Sequence, residues 1–170
     1  FFGSLKCGLT VVNINPLYKY REIESIAKDS QLETIIVFDK FLEEVEKIID
    51  KTKIKNIIVC RASDLLNLPM KIIVNTVQFI KRERYKVKSR YIKFSKTINH
   101  KYKFSRLNLS NDDVALLQYT GGTTGKSKAA ILTQKNLLSN ISQLSLWVKQ
   151  HVKEGEEVII TALPMYHIFS

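Results

Sequence analysis

The chain has 170 residues, of which 45% are hydrophobic and 25% charged, and its formal net charge at pH 7 is +11. That length and apolar fraction indicate a globular protein with a core of its own. No apolar run approaches the ~20 residues of a bilayer-spanning helix, so the composition argues against an integral membrane protein of that kind. The two cysteines, Cys7 and Cys60, lie in apolar context without metal-ligand spacing, which predicts buried free thiols in the reducing cytoplasm.

Helical and strand patterns alternate along residues 1–63. The predicted elements are a helix end at 1–8 that Gly8 stops, strands at 10–14, 34–38 and 56–60, and helices at 20–28 and 41–51. Short, continuous apolar strands separated by helices are typical of a parallel sheet that is covered on both faces. The predicted fold class is therefore α/β.

Residues 64–110 form a predicted basic insertion that contains an apolar helical face. That face is formed by Met70, Ile73, Val77 and Ile80. From residue 71 to residue 106 there are twelve basic residues and one acidic residue, which accounts for the entire net charge of +11. Charge beside an apolar face favours the inner face of a membrane over nucleic acid as the partner of residues 70–106. A merely solvated insertion is the competing interpretation, and no RNA-binding signature is present.

The most distinctive stretch follows a predicted strand at 114–119. It reads Tyr119, Thr120, Gly121, Gly122, Thr123, Thr124, Gly125, Lys126, Ser127 and Lys128. Glycines let backbone N–H groups converge on one concavity, hydroxyls add donors, and lysines add positive charge. A plain surface turn needs none of these extra groups, so the stretch predicts a polyphosphate-binding loop.

A Walker A loop is the first alternative, because Gly125, Lys126 and Ser127 match the end of that motif. The motif also needs a glycine where this chain has Thr120, and it should open directly into a helix. Residues 128–133 are instead short and apolar, and the first helix signal is at Thr133. The Walker interpretation therefore fails.

Past this loop, the pattern predicts a helix from Thr133 to about 150, a turn at 153–157 and a strand at 158–163. Asp112 and Asp113, which precede the strand at 114–119, are interpreted as surface residues. A lone histidine is more often a satisfied core group, but His167 follows a strand end, where open α/β sheets bind ligands. It is therefore a candidate for chemistry.

Three segments in order carry a resemblance to a known family. They are 8–18, which includes Asn13-Ile14-Asn15-Pro16-Leu17-Tyr18, then 117–128, and then 161–169, which reads Thr-Ala-Leu-Pro-Met-Tyr-His-Ile-Phe. The loop resembles that of the adenylate-forming (AMP-binding) enzymes, and the other two segments are similar to the bacterial long-chain fatty-acid–CoA ligases. The lysine that closes the motif in this family corresponds to Lys128 and not to Lys126.

The resemblance implies that residues 1–170 are part of a large N-terminal AMP-binding domain with a mostly parallel sheet flanked by helices. Its parts would be 1–63, the basic insertion 64–110, and 111–170 with the loop, a helix and the substrate-junction strand. The C-terminal lid domain would lie beyond the chain. Because both ends of the chain interrupt a secondary-structure pattern, we expect the chain to be an internal segment of a longer enzyme. We expect this segment to have no catalytic activity by itself.

The implied reaction activates a long-chain fatty acid with ATP to an acyl-adenylate, and coenzyme A then displaces AMP. The implied nucleotide-binding residues are those from Tyr119 to Lys128 together with Ala129 and Ala130. Tyr166 and His167 would line the junction with the fatty acid, His167 as the catalytic residue. Mg²⁺ is implied as a cofactor, and no ligand for it is identifiable.

Two departures and three alternatives accompany the resemblance. Ala129 stands where the family has glycine, which would cost stability or activity if positive φ or close backbone contact is needed. Gln134 replaces a histidine at a helix start.

The alternatives are another adenylating enzyme (an aryl-CoA ligase or a peptide-synthetase domain), a non-functional truncated remnant, and a nucleic-acid-binding module centred on 71–106.

Overall fold

The computed structural model describes residues 1–81, 85, 87–98, 105, 107–120, 128–149, 152–153 and 155–158. The chain divides into two compact units, one formed by Phe1–Asn15 with Phe104–Ser170 and the other by Pro16–Lys103. Helices and parallel strands occur in both units, which confirms the predicted α/β class.

The unit Pro16–Lys103 contains a three-stranded parallel sheet in the order β2-β3-β4. Its helices and strands are α2 (Tyr20–Asp29), β2 (Thr34–Phe38), α3 (Leu42–Glu46), β3 (Asn56–Cys60), α4 (Leu68–Ile80), β4 (Ile92–Lys93) and α5 (Phe94–Thr97). The core of this unit is formed by aliphatic side chains from α2, α3, β2 and β3 and from the segments between them. They are Ile23, Ile26, Ala27, Ile35, Leu42, Val45, Ile48, Ile54, Ile57 and Val59. Strands 34–38 and 56–60 are found with the bounds that the sequence predicts.

The single helix predicted over 41–51 is wrong. The structure has a 3₁₀ turn at Asp39–Phe41, the short α3, and a second 3₁₀ turn at Ile49–Lys51. Leu42 and Val45 are buried on α3, and Ile48 is buried in the turn that follows this helix. All three side chains therefore reach the core although the α-helix ends at Glu46.

One side of strand β2 is exposed in the described part of the chain. Along β2 burial alternates, so that Ile35 is buried whereas Ile36 and Phe38 are 57% and 51% exposed. Helix α4 forms where the sequence predicts it, with Asn67 as N-cap and Pro69 in its first turn, but it has no buried residue. Both apolar surfaces therefore face solvent in the described part of the chain.

The unit Phe1–Asn15 with Phe104–Ser170 contains a second three-stranded sheet, in the order β1-β5-β6. Its elements are α1 (Phe2–Lys6), β1 (Val11–Asn13), β5 (Val114–Thr120), β6 (Lys128–Thr133) and α6 (Gln134–Val148). Strand β1 is parallel to β5, and β6 is antiparallel to it. Val158 is exposed coil, and the rest of the strand predicted at 158–163 lies outside the described residues.

The connections of this unit match several smaller predictions. Gly8 ends the first helix with a φ of +68°, and Asp112 and Asp113 are exposed. The turn at 153–157 is present, with Gly155 at a φ of +81° and a hydrogen bond of 3.2 Å from Glu156 N to Lys153 O. The burial predicted for Cys7 is wrong, because the short α1 leaves it exposed, while Cys60 at the end of β3 is half-buried. Both thiols are free, as predicted.

Candidate phosphate-binding site

The two ends of the predicted phosphate loop lie side by side. Thr120, the last residue of β5, pairs with Lys128, the first residue of β6, and Tyr119 pairs with Ala129. The hydroxyl of Thr120 donates a hydrogen bond of 3.5 Å to the carbonyl of Lys128. The residues that flank the glycine-rich stretch 121–127, Thr120 and Lys128, are therefore neighbours on adjacent strands.

Strand β5 occupies the centre of its sheet because most of its side chains are apolar and buried. Ala115, Leu116 and Tyr119 are buried, while Thr120 at the strand end is exposed. The parallel strand β1 runs alongside it, so that this end of β5 is a carboxyl end of a parallel pair. Open α/β sheets bind ligands at that edge.

The far end of β6 is fixed by a helix cap. Thr133 is the N-cap of α6: its hydroxyl oxygen accepts from Asn136 N at 3.3 Å, and its own N–H donates to Asn136 Oδ1 at 2.9 Å. The next two amides, of Gln134 and Lys135, donate to the carbonyls of Asp113 and Asn111, each at 2.9 Å. These bonds join the start of α6 to the residues that precede β5. Gln134, the second departure from the family, is thus the first residue of a well-capped helix.

Part of the predicted site lies within the described residues and part does not. Tyr119, Thr120, Lys128, Ala129 and Ala130 are placed in β5 and β6, with Thr120 and Lys128 exposed. The predicted residues Gly121, Gly122, Thr123, Thr124, Gly125, Lys126 and Ser127, and also Tyr166 and His167, lie outside the described residues.

Ala129 occupies a regular strand position. It is half-buried in β6 opposite Tyr119, and among the described residues other than glycine the only positive φ belongs to Gln31. The conformational cost that a positive φ would impose on alanine therefore does not arise at this position.

The sequence reasoning did not single out Gln118, although this residue lies in β5 beside the predicted site. It is only 9% exposed, and its side chain is the one amide in the apolar run 114–119. The signal in the sequence that could have identified Gln118 is a polar residue within an otherwise apolar strand.

Within the described part of the chain, no three His, Cys, Asp or Glu side chains come together as they would around a metal ion. None of the described helices combines the length and the apolar character that crossing a bilayer requires.

Comparison with known proteins identifies the family. The model of the family described as AMP-binding enzyme matches residues 1–170. The chain belongs to the AMP-binding enzyme family. This assignment confirms the resemblance that the loop sequence indicates.

Among characterised members of the AMP-binding family, this chain is similar to bacterial ligases. It is 38% identical to the long-chain-fatty-acid–CoA ligase of Escherichia coli O6:H1 over 174 residues, which is 99% of this chain and 31% of that protein. The enzyme of the same name from Bacillus subtilis is 32% identical over 181 residues, again 99% of this chain and 31% of that protein. The chain thus spans about a third of the length of these relatives.

Solved structures agree with the AMP-binding fold. A long-chain-fatty-acid–CoA ligase from Archaeoglobus fulgidus superposes with a TM-score of 0.56 and 28% identity, covering 85% of this chain and 24% of that one. A second ligase structure, from Rhodopseudomonas palustris, has a TM-score of 0.65 at 17% identity, covering 94% of this chain and 33% of that one. The second likeness supports the fold alone.

Proposed function

We propose that this chain is the loop-bearing part of a long-chain fatty-acid–CoA ligase. The observation that carries the proposal is the 38% identity with the Escherichia coli ligase along 99% of the chain. An aromatic acid is the less favoured substrate, because a 4-coumarate–CoA ligase from Narcissus pseudonarcissus matches only 35% of the chain. The full-length protein would join a fatty acid to coenzyme A at the expense of ATP, releasing AMP and pyrophosphate.

In this proposal the loop binds the β- and γ-phosphates of ATP, which leave as pyrophosphate. The pairing of Thr120 with Lys128 supports it, because it brings the two ends of the predicted loop together at the carboxyl end of β5. Backbone amides of the glycines and hydroxyls of the threonines would donate to phosphate oxygens. Fixed donors of this kind stabilise charge as it develops on the leaving group.

Lys128 would provide positive charge beside these phosphates from its exposed position at the start of β6. Tyr166 and His167 would lie where the fatty-acid carboxylate meets the α-phosphate, His167 as the catalytic residue. These two roles rest on the family resemblance of residues 161–169.

Mg²⁺ and coenzyme A complete the proposed reaction. A divalent cation neutralises phosphate charge in reactions of this class. The described residues contain no cluster of carboxylate or histidine ligands for one. We therefore assign neither a metal ligand nor a metal-dependent step to this chain.

The loop assignment is tested by nucleotide binding to the purified chain. Isothermal titration calorimetry with ATP and with pyrophosphate should detect weak binding, which the double substitution Thr124→Ala with Lys128→Ala abolishes. Lys126→Ala is the matched comparison and should weaken binding less, because it removes the other lysine of the loop, which is not the lysine that closes the family motif. Lys149→Ala removes an exposed lysine at the end of α6 and should change nothing.

Unchanged affinity in the double variant would show that the loop does not bind phosphate. Loss of affinity in Lys126→Ala with retention in Lys128→Ala would restore the Walker A interpretation.

Acyl-CoA formation, followed with palmitate and with 4-coumarate, tests the substrate. We expect product from the full-length protein with palmitate and none from the 170-residue chain; product from that chain alone would contradict the need for the missing part.

We further propose that α4 and the basic stretch after it make a peripheral contact with an anionic membrane. The supporting observation is that seven apolar side chains of α4 are exposed: Leu68, Met70, Ile72, Ile73, Val77, Phe79 and Ile80. They adjoin the stretch that carries the chain's net charge of +11. An apolar face combined with lysines is the pattern of interfacial helices.

Vesicle co-sedimentation tests the contact. The full-length protein should bind vesicles of phosphatidylcholine with phosphatidylserine more tightly than vesicles of phosphatidylcholine alone. Replacing Phe79 and Ile80 by serine should weaken this binding, whereas replacing the equally exposed Leu146 and Trp147 on α6 should not. Equal binding to both vesicles, or no effect at Phe79 and Ile80, would exclude the proposal. Salt-sensitive retention on DNA instead would favour the nucleic-acid alternative.

A further inference from the structure

Gln118 presents a buried acceptor that the described fold does not satisfy. Its Nε2 donates a hydrogen bond of 3.3 Å to the carbonyl of its neighbour Tyr119. Its Oε1 has no solvent contact and no hydrogen-bond partner among the described residues. An unpaired buried carbonyl costs the free energy of the water contacts that it has lost. A methionine of the same length would avoid this cost.

The sheet register places a second amide beside Gln118. Asn13, the last residue of β1, is its partner on the parallel strand, and Ala130 is its partner on β6. Side chains of register partners project from the same face of a sheet. Asn13 is half-buried, and its amide nitrogen carries two donors, so this neighbour has the group that Gln118 Oε1 needs.

The position of the pair connects it to the phosphate loop. Gln118 lies two residues before the end of β5, and the loop begins directly after that end. The carbonyl that Gln118 Nε2 contacts belongs to Tyr119, the first residue of the predicted loop motif. A side chain that holds both this carbonyl and the neighbouring strand would fix the direction in which β5 enters the loop.

We propose that Gln118 is a positioning residue for the nucleotide, and that its Oε1 accepts a hydrogen bond from the Asn13 amide when ATP is bound. The inference rests on the proposed nucleotide binding of the loop. Among the described residues the acceptor is unsatisfied without nucleotide; in this proposal it becomes satisfied in the complex, so part of the binding free energy comes from this hydrogen bond. Gln118 and Asn13 therefore favour binding at the expense of the free protein's stability.

Opposite effects on stability and binding distinguish this role from a structural one. Gln118→Met removes the buried acceptor with little change in shape. It should leave the urea midpoint of the chain unchanged or raise it, while the Kd for ATP in calorimetry rises about tenfold, the effect of one hydrogen bond. Asn13→Leu should raise that Kd similarly, and the double variant should show no further rise, because both substitutions remove the same bond.

Gln143→Leu is the matched control, since it replaces an exposed amide on α6 and should change neither quantity. A lower urea midpoint or a failure to fold in Gln118→Met would assign Gln118 a structural role and overturn the inference. Unchanged ATP affinity, or additive effects of the two substitutions, would overturn it as well. If the unmodified chain itself binds neither ATP nor pyrophosphate, it is the proposed nucleotide binding that fails.

Discussion

The hydroxyl of Tyr91 donates a hydrogen bond of 2.6 Å to Oε1 of Glu46, a residue 45 positions earlier in the chain. Lys88 Nζ lies 2.9 Å from the same carboxylate oxygen, and Arg90 Nη2 donates to the Tyr91 hydroxyl at 2.7 Å. Tyr91 itself is only 7% exposed. The basic stretch is therefore anchored to α3 at this point, within the unit Pro16–Lys103.

We expect Tyr91→Phe to destabilise this unit by about 1–3 kcal/mol, because it removes a hydrogen bond to a charged group and leaves the ring in place. Urea denaturation followed by circular dichroism measures the change. Tyr85→Phe is the control, since Tyr85 is exposed. Equal stability of the two variants would mean that the Tyr91 hydroxyl contributes nothing to folding.

The same contacts predict how stability depends on pH. The hydrogen bonds from Tyr91 and then Lys88 lower the pKa of Glu46 below its usual 4.5. A carboxyl group whose pKa is lower in the folded state stabilises the protein above the unfolded pKa. This contribution is lost as the pH falls from about 4.5 through the lower folded value.

Urea midpoints measured between pH 3 and pH 7 should therefore fall less steeply at the acidic end in Glu46→Gln than in the unmodified chain. Glu43→Gln, at a carboxylate that is 69% exposed, is the control and should keep the original slope. The pH assignment is wrong if the two variants share one profile.

The two cysteines should differ in reactivity. Cys7 is exposed, whereas Cys60 is half-buried, and burial together with the charges of Asp64 and Asp39 raises the pKa of the Cys60 thiol to about 11. Since the thiolate is the reacting form, iodoacetamide at pH 8 should modify Cys7 first, as read by mass spectrometry of the peptides. Asp64→Asn should speed the reaction of Cys60, and Glu33→Gln, at an exposed residue, should not. Faster labelling of Cys60 than of Cys7 would contradict the burial described for these thiols.

Local sequence patterns correctly predicted the strands that are determined by the residue types within a short segment. Strands β2 and β3 were predicted with their observed bounds, because each is a continuous apolar run between polar residues. The helix predicted at 41–51 is α-helical only over Leu42–Glu46, because the apolar spacing does not show where a helix ends. The sequence patterns did not single out Tyr91, because its partner Glu46 becomes adjacent only through the tertiary fold.

For the candidate site, too, one part could be predicted from the sequence and another part could not. The loop chemistry of residues 119–128 follows from residue types, so it could be predicted before the fold was known. The pairing of Thr120 with Lys128 and the proximity of Asn13 to Gln118 depend on the register of three strands. Neither register is encoded in a short window of sequence.

The conformation of Gly8 should make this position intolerant of a side chain. With its φ of +68°, a Cβ built there would lie 3.1 Å from Leu107 Cδ1 and 3.2 Å from Leu109 Cδ2. Left-handed φ and crowding both disfavour alanine, so Gly8→Ala should lower the free energy of unfolding by about 1 kcal/mol or more. Gly3→Ala, with open space around the built Cβ and a helical position, is the control and should be neutral or stabilising. The reverse order in thermal denaturation would exclude a left-handed residue at position 8.

Thr133 should matter because it both ends β6 and caps α6. Its hydroxyl accepts the Asn136 amide at 3.3 Å, so Thr133→Ala should destabilise the helix by about 1 kcal/mol. Thr133→Ser keeps the oxygen and should restore most of that loss. Strand β6 runs from Lys128, beside the loop, to Thr133. Loss of the cap at Thr133 should loosen this strand, and ATP binding should therefore also weaken slightly in the alanine variant. Denaturation and calorimetry on the two variants check both effects; equal stability of the alanine and serine variants would show that the cap contributes nothing.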